Sequence, residues 1–443
     1  MPNSKIMYAL AVLCAGCFLS PAMAIDLSLS DAVEKITAES HDLKKAQANL
    51  ARAEASLDAA NANRWFSLNG SVSYMNMVNV ENPSKSQTFD LPPELGGLIS
   101  ESLKGQSISF EIPDNIFMAG LELTQPIYTF CKIGNAVKAV KSAIKMSEAS
   151  LELTQREVRY AAADLYWTAK MTDEIVKLSE NDLNNARAAK KKLTSAGRAN
   201  RSNLLKIESD IATKEINLSD AEFNRDTAHR MLKIMAGIDV NEPLVLTDNF
   251  PTSFATLDAG ELKSTPEWEI LDEQVKMYES QAKSKRAGAY PTLAATASYS
   301  YTSMAGDIGH MFDQKGGQSA YWGLALQVPI FSGGINRANA TVEAMNAEAA
   351  RQDLDKSRKL TTEKYDNAIK QYNHLRGNLK TLENARDLAA KTYTLSQDRF
   401  GAGQTSAVEL ADVAAGLYQL DVALLNTKYK ILMSAESVKK LGE

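Results

Sequence analysis

The residues most able to do chemistry are few and dispersed. His41, His229, His310 and His374 lie too far apart along the 443 residues to share a metal-ligand spacing. No Gly-rich phosphate loop and no nucleophile elbow occurs. Of the three cysteines, Cys14 and Cys17 fall in an apolar stretch near the N terminus. Once that stretch is removed, Cys131 has no partner for an intramolecular disulfide. A lone cysteine is more often packing than a reactive thiol. The 15 methionines are spread along the chain and read as packing too. The sequence therefore predicts no enzyme, no cofactor and no metal site. One pair of acids stands apart. Glu409 and Asp412 are three residues apart, so on a helix they share a face. They follow the turn-forming run Gly401-Ala402-Gly403-Gln404-Thr405-Ser406, and acids just inside a helix start complement its dipole.

The elements that hold these residues begin after a targeting segment. Lys5 supplies a positive n-region, Ile6 to Leu19 an apolar core, and Ala22-Met23-Ala24 a small-residue cleavage site, so residues 1–24 read as a secretory signal peptide. Ala15-Gly16-Cys17 resembles part of a lipoprotein box, but Cys14 stands where Leu is expected, and the Ala-Met-Ala site fits better. The formal charge of −5 and the absence of clustered bases over most of the chain exclude nucleic acid as a partner. Mean hydropathy is −0.26, and no internal apolar stretch approaches 18 residues, which excludes a bundle of transmembrane helices.

An internal repeat organises the rest. Residues 40–74 resemble 265–299 at an offset of 225; QPIYTF at 125–130 returns as QVPIFSG at 327–333. Lys192 to Leu204, KLTSAGRANRSNL, aligns with Asp398 to Leu410, DRFGAGQTSAVEL, at an offset of 206. The first repeat covers 25–246: a helix capped at Ser30, strands 65–79 and 116–130, a long helix 133–196 and a helix 200–237. The second covers 247–443: a helix 266–289 capped by Thr265, strands 290–303 and 320–332, a long helix 336–400 and a helix 405–440. At 1.5 Å rise, a helix of about 64 residues is a rod of about 95 Å, beyond any compact globule. The second long helix carries a heptad seam through Tyr365, Ala368, Tyr372, Leu375, Leu379, Leu382, Ala389, Tyr393 and Phe400, interrupted at Arg386 and Ser396.

The strands alternate. Leu293, Ala295, Ala297, Tyr299 and Tyr301 oppose Thr296, Ser298, Ser300 and Thr302; Phe66, Leu68, Val72 and Tyr74 oppose Ser67, Asn69, Ser71 and Ser73. Trp322, Leu324, Leu326, Val328 and Ile330 share a face, while 116–125 is less regular. Apolar residues alternating with uncharged polar ones fit both a soluble sheet and a membrane β-barrel. Four strands cannot close a barrel, and open edges are not tolerated in lipid, so a membrane location requires several copies of the chain. The connecting loops 80–117 and 305–319 suit an aqueous face, the first with room for a short helix near Pro93 to Leu103.

These segments resemble the TolC-like outer-membrane efflux proteins over about 27–443. The resemblance rests on the opening LSLSDAVEKITAESHDLKKAQANL, on QPIYTF and VPIFSGG, and on the turns at Ala196-Gly197 and Ala402-Gly403. It implies a mixed α/β membrane protein: a trimeric β-barrel with four strands per protomer, continued by a long α-helical coiled-coil tunnel in the periplasm. It implies a passive exit duct of a tripartite efflux or type I secretion system in the cell outer membrane. Its partners would be two further copies, outer-membrane lipid, a periplasmic adaptor and an inner-membrane transporter. Glu409 and Asp412 would form acidic rings at the pore constriction, and Ala196, Gly197, Ala402 and Gly403 the adaptor docking turns. The chain departs from the family in having Cys131 where Gly is common, and Thr405 where some relatives carry a bracing Arg. The alternative is a structural coiled-coil protein of the periplasm or envelope.

Overall fold

A computed structural model describes residues 25–76, 115–195, 201–258, 260–262, 264–305, 308–310 and 316–442. The expected signal peptide, the segment Pro93 to Leu103, and the turn residues Ala196 and Gly197 lie outside the described residues. In chain order the elements are β1 Ile25–Leu27, α1 Leu29–Glu39, α2 His41–Ala62, β2 Ser67–Asn76, β3 Asn115–Tyr128, α3 Lys132–Ser195, α4 Arg201–Met235 and β4 Leu244–Leu246. The second half continues with α5 Pro266–Ala287, β5 Thr292–Ala305, β6 Gly317–Gln327, α6 Ile335–Gly401 and α7 Ala407–Gly442. They fall into two compact units, one of residues 1–52, 144–274 and 350–443, the other of 53–143 and 275–349.

The helical unit is built where the polar sequence leaves apolar stripes. Its main core gathers Leu27, Ile36, Leu43, Ala162, Tyr166, Trp167, Leu232 and Leu246 from six elements. The parallel pair β1–β4 seals one side of it, Leu27 opposite Leu246. Three-residue strands such as IDL and LVL are too short to show alternation, which is why the sequence pattern missed them. Tyr166, fully buried, donates through its hydroxyl to Asp248 at 2.8 Å, and Asp248 accepts from the Leu29 backbone at 2.7 Å. Burial pushes the Tyr166 phenol up to about 12, so it remains a donor. A second cluster, Tyr372, Leu379 and Ile431, is covered by Phe254 and Leu257. There the chain between β4 and α5 is tied to α6: Tyr372 donates to the Ala255 carbonyl at 2.8 Å and Asn373 to the Leu257 carbonyl at 2.8 Å.

The heptad seam of α6 is buried or half-buried at each predicted position. Its interruptions have partners of their own: Arg386 donates to Asp421 at 2.7 Å, and Ser396 is buried. The first helix differs from expectation. Its cap is Ser28, not Ser30: Ser28 Oγ accepts from the Asp31 amide at 3.2 Å, and Asp31 accepts from the Ser28 amide, closing a capping box. The helix also stops at Ser40, which caps α2 by accepting from the Leu43 amide at 3.3 Å. Each serine offers an oxygen to an orphan amide, and the two local bonds outcompete one continuous helix.

The other unit carries a four-stranded antiparallel sheet in the order β2-β3-β5-β6. Its register makes the sequence alternation physical. Leu68 pairs with Leu123, Leu123 with Ala297, and Ala297 with Trp322, so one face is a row of apolar side chains. The adjacent rung, Ser67, Thr124, Thr296 and Gly323, belongs to the opposite face, which is mostly Ser, Thr, Asn and Gly. Trp322 is 86% exposed and Val72 74% exposed within one chain. Among the described residues β2 and β6 have no outer strand neighbour.

Each long helix leaves the sheet through a turn of the same construction. At Gly333 and Gly334 φ is +60° and +79°, the left-handed region that glycine enters without cost. Offset by 203 residues, Phe130 and Cys131 adopt φ of +46° and +64°. The backbone bonds also correspond. Lys132 donates to Thr129 and Asn135 to Cys131; Ile335 donates to Ser332 and Ala338 to Gly334. The first repeat therefore holds a glycine conformation with two residues that have side chains. Phe130 is held by two ring contacts, stacked on Tyr290 at 5.6 Å and edge-to-face with Tyr128 at 4.6 Å between centroids. Cys131 is exposed and unbonded through its thiol.

Candidate functional site: the turn between α6 and α7

The second turn is a complete Schellman motif. Gly403, at φ +80°, donates to Phe400 at 3.0 Å, and Gln404 donates to Arg399 at 2.8 Å. Ala402 and Gly403 are exposed, so their backbone is open to a partner. Ser406 then caps α7, its Oγ accepting from the Glu409 amide at 3.2 Å. Glu409 therefore occupies the third helical position, where a carboxylate complements the dipole and completes the S-x-x-E pattern. Asp412 follows one turn later on the same face. Both acids are exposed, and neither has an ion pair among the described residues.

Behind this turn the two helix pairs share one apolar cluster: Leu193 and Ile207 from α3 and α4, Phe400, Ala407 and Leu410 from α6 and α7. Phe400, the last residue of the predicted seam, thus pins the two helix pairs together. Beside the cluster lies a group of charges that sequence patterning did not isolate. Lys214, 5% exposed, sits 2.6 Å from Asp182 and 3.8 Å from Asp210. These three residues span α3 and α4, each on a stretch rich in charge, and nothing in their local sequence separates a buried ion pair from a solvated face. Burial pushes the Asp210 carboxyl above its ordinary value. Lys214 opposes that rise, Asp182 adds to it, Lys206 opposes it, and Asp412 adds again. Burial likewise raises Tyr393, whose hydroxyl accepts from Gln397 at 2.7 Å. A cavity of about 20 Å³ lined by Asp182, Asp210, Lys214, Tyr393 and Leu410 leaves room for a single water. The predicted Asp412 and the unpredicted Asp210 thus belong to one electrostatic neighbourhood.

These features are arranged for packing and charge, and among the described residues no group of His, Cys, Asp and Glu could hold a metal ion. The sequence matches the family described as outer membrane efflux protein over residues 32–237 and 272–441. The chain belongs to that family. No curated protein sequence matches it. By structure it is similar to CusC at TM-score 0.74 and 16% identity, covering 95% of this chain and 93% of that one. It is similar to the CmeC outer membrane channel of Campylobacter jejuni at TM-score 0.72 and 17% identity, over 93% and 85% of the two chains. It also resembles the open MtrE outer membrane channel of Neisseria gonorrhoeae at TM-score 0.73 and 16% identity, over 93% and 88%. As a member of that family the chain is an outer-membrane efflux protein, a transport protein and not an enzyme. The rod-only alternative is displaced by that membership. No helix among the described residues is long and apolar enough to cross a membrane.

Proposed function

We propose that three copies of this chain close a twelve-stranded barrel in the outer membrane, each giving four strands, and continue it as a gated tunnel. The observation that carries the reading is the sheet: one uncovered apolar face and two open edges in a single chain. Hydrocarbon offers no partner for the unpaired amides and carbonyls of β2 and β6, so each edge must meet another copy. Eight strands are the usual minimum for a transmembrane barrel, so one chain cannot close on itself.

Within that assembly, Glu409 and Asp412 from three chains place six carboxylates near the periplasmic mouth. Such rings attract cations and raise the barrier for anions. The turns at Ala196-Gly197 and Ala402-Gly403 receive a periplasmic adaptor, which links the duct to an inner-membrane transporter. Adaptor binding opens the mouth by uncoiling α3–α4 and α6–α7 near 180–220 and 380–420. The chain itself supplies no energy; the transporter does.

Whether the duct serves drug efflux or type I secretion is decided in a deletion strain. Accumulation of a dye or drug that reverses on complementation supports efflux, and loss of a secreted protein supports secretion. A strain unaltered in both contradicts the exit-duct role.

A further inference from the structure

The end of the sheet where its strands join the helices carries bases and no acid. Residues 59–66, 127–142, 280–291 and 328–342 are the four chain segments at that end, and they hold Arg64, Lys132, Lys138, Lys141, Lys283, Lys285, Arg286 and Arg337. The nearest acids along the chain, Asp58, Glu148, Glu279 and Glu343, lie farther along the helices. In a chain of formal charge −5 this is a local reversal.

Contacts within this unit bring five of these bases to one level. Gln125 Nε2 donates to the Arg64 carbonyl at 2.9 Å, which ties the chain after α2 to β3. Ser284 Oγ donates to the Lys132 carbonyl at 2.9 Å, joining the last turn of α5 to the first residue of α3. A Cβ at Gly288, just past α5, would lie 3.0 Å from Asn336 Oδ1 in the first turn of α6. Arg64, Lys132, Lys285, Arg286 and Arg337 are therefore gathered where the sheet ends, all exposed and without an ion pair among the described residues. Helix dipoles explain only some of them. Lys285 and Arg286 sit in the last turn of α5, where cations are favoured. Lys132 is the first residue of α3 and Arg337 the third of α6, where a cation opposes the dipole and no acid in the first turn offsets it.

Beside these bases lies the end of the uncovered apolar face. Its final apolar rung is Tyr128, Leu293 and Leu326. Beyond it come Phe130 and Tyr290, stacked on each other, with Trp65 72% and Phe331 89% exposed. From the sheet towards the helices the surface thus passes from apolar side chains to aromatic rings to cations. That order is the depth profile of a phospholipid: acyl chains, the interface where aromatic rings settle, then phosphate.

We infer that Arg64, Lys132, Lys285, Arg286 and Arg337 form a phosphate-binding collar for anionic phospholipid of the periplasmic leaflet. This inference rests on the proposed seating of the sheet in the outer membrane and names the lipid that meets its helix-side end. Long basic side chains lay their methylenes along apolar surface and hold their charge at the headgroups. An anionic headgroup neutralises the collar, whereas a zwitterionic one brings a cation of its own to it. The preference is therefore for net negative lipid, and salt weakens it.

The test reconstitutes the mature full-length protein in phosphatidylcholine vesicles with about one lipid in five as phosphatidylglycerol. In one series the phosphatidylglycerol carries bromine high on an acyl chain; in the other an equal fraction of the phosphatidylcholine does. In a Trp167→Phe/Trp268→Phe background, either Trp65 or Trp322 is kept as the fluorescent probe. Trp65 should be quenched at least twofold more by brominated phosphatidylglycerol at about 50 mM salt, and the excess should vanish at about 500 mM. Trp322, four residues up β6 from Leu326, should be quenched equally by both lipids. Replacing all five bases by Gln should erase the preference at Trp65. Exchanging the bases, as Arg64→Lys/Lys132→Arg/Lys285→Arg/Arg286→Lys/Arg337→Lys, should keep it. Should a substitution impair folding, native mass spectrometry of the unsubstituted protein, titrated with equal amounts of the two lipids, repeats the comparison. It should retain the anionic lipid at least threefold more. Equal quenching of Trp65 by both lipids overturns the collar and leaves the membrane seating standing. Quenching of Trp322 but not of Trp65 means that protein covers this end, and also overturns the collar. Trp322 quenched by neither lipid overturns the seating itself.

Discussion

Cys131→Gly should make the protein more stable, although it removes a side chain and adds a flexible residue. Cys131 sits at φ +64° in the position where the second repeat has Gly334 at φ +79°. For a residue with a Cβ, the left-handed region costs about 1–2 kcal/mol, whereas glycine enters it freely. Against that gain stands the greater freedom of glycine in the unfolded chain, about 0.5–1 kcal/mol. The thiol is exposed and in no disulfide, so its removal breaks no cross-link. The expected net effect is a gain of about 0.5–1 kcal/mol per chain. The reciprocal change, Gly334→Ala, should lose about 1 kcal/mol. A Cβ built there meets nothing within 4 Å, so its cost is backbone alone. The assay is the guanidinium midpoint of the detergent-solubilised protein followed by tryptophan fluorescence, with slope checked between variants. Cys131→Ala is the decisive control, since it removes the thiol and keeps the left-handed strain. If it stabilises as much as Cys131→Gly, the backbone argument is refuted.

Three further expectations concern the tip. Replacing Glu409 and Asp412 together by Ala should raise conductance or reduce cation preference in planar bilayers, and an unchanged current–voltage relation would remove them from the pore constriction. Lys214→Met should cost about 3 kcal/mol by leaving Asp182 and Asp210 buried without their cation, read as faster hydrogen exchange in α3 and α4 near the turn, whereas Lys214→Arg should largely preserve protection. Asp210 holds its proton more tightly in the folded chain than in the unfolded one. Its contribution to stability is therefore fully present below the ordinary carboxylate range and is lost as pH rises through the raised value. Asp210→Asn should accordingly be more stable than wild type at neutral pH, with the difference shrinking as pH falls towards 4; a difference that widens on acidification contradicts the sign.

The legible part of this fold was the part written in long periods. Leu68, Ala297 and Trp322 come from three separate strands, and alternation alone put each on the apolar side before any register was known; Leu123, in the less regular strand, joins them only through the register. The seam from Tyr365 to Phe400 was equally readable because 3.5-residue spacing persists over many turns. What escaped was short or non-local. Ile25–Leu27 and Leu244–Leu246 pair across more than 200 residues with only three residues each. Ser28 and Ser30 look equally good as caps, and only the reciprocal bond with Asp31 chooses between them. Lys214, Asp182 and Asp210 resemble any solvated charges until α3 and α4 are packed face to face. The second turn was readable from Gly403.

The central claim, that open-edged four-stranded sheets from three chains complete one barrel, is tested most directly by native mass spectrometry of the detergent-extracted outer-membrane protein. The account predicts a single species of three mature chains that persists while β2 and β6 are intact. It further predicts loss of that species when proline replaces the edge residues Ser71 and Tyr321. A stable monomer, or a closed assembly of any other number, would contradict it.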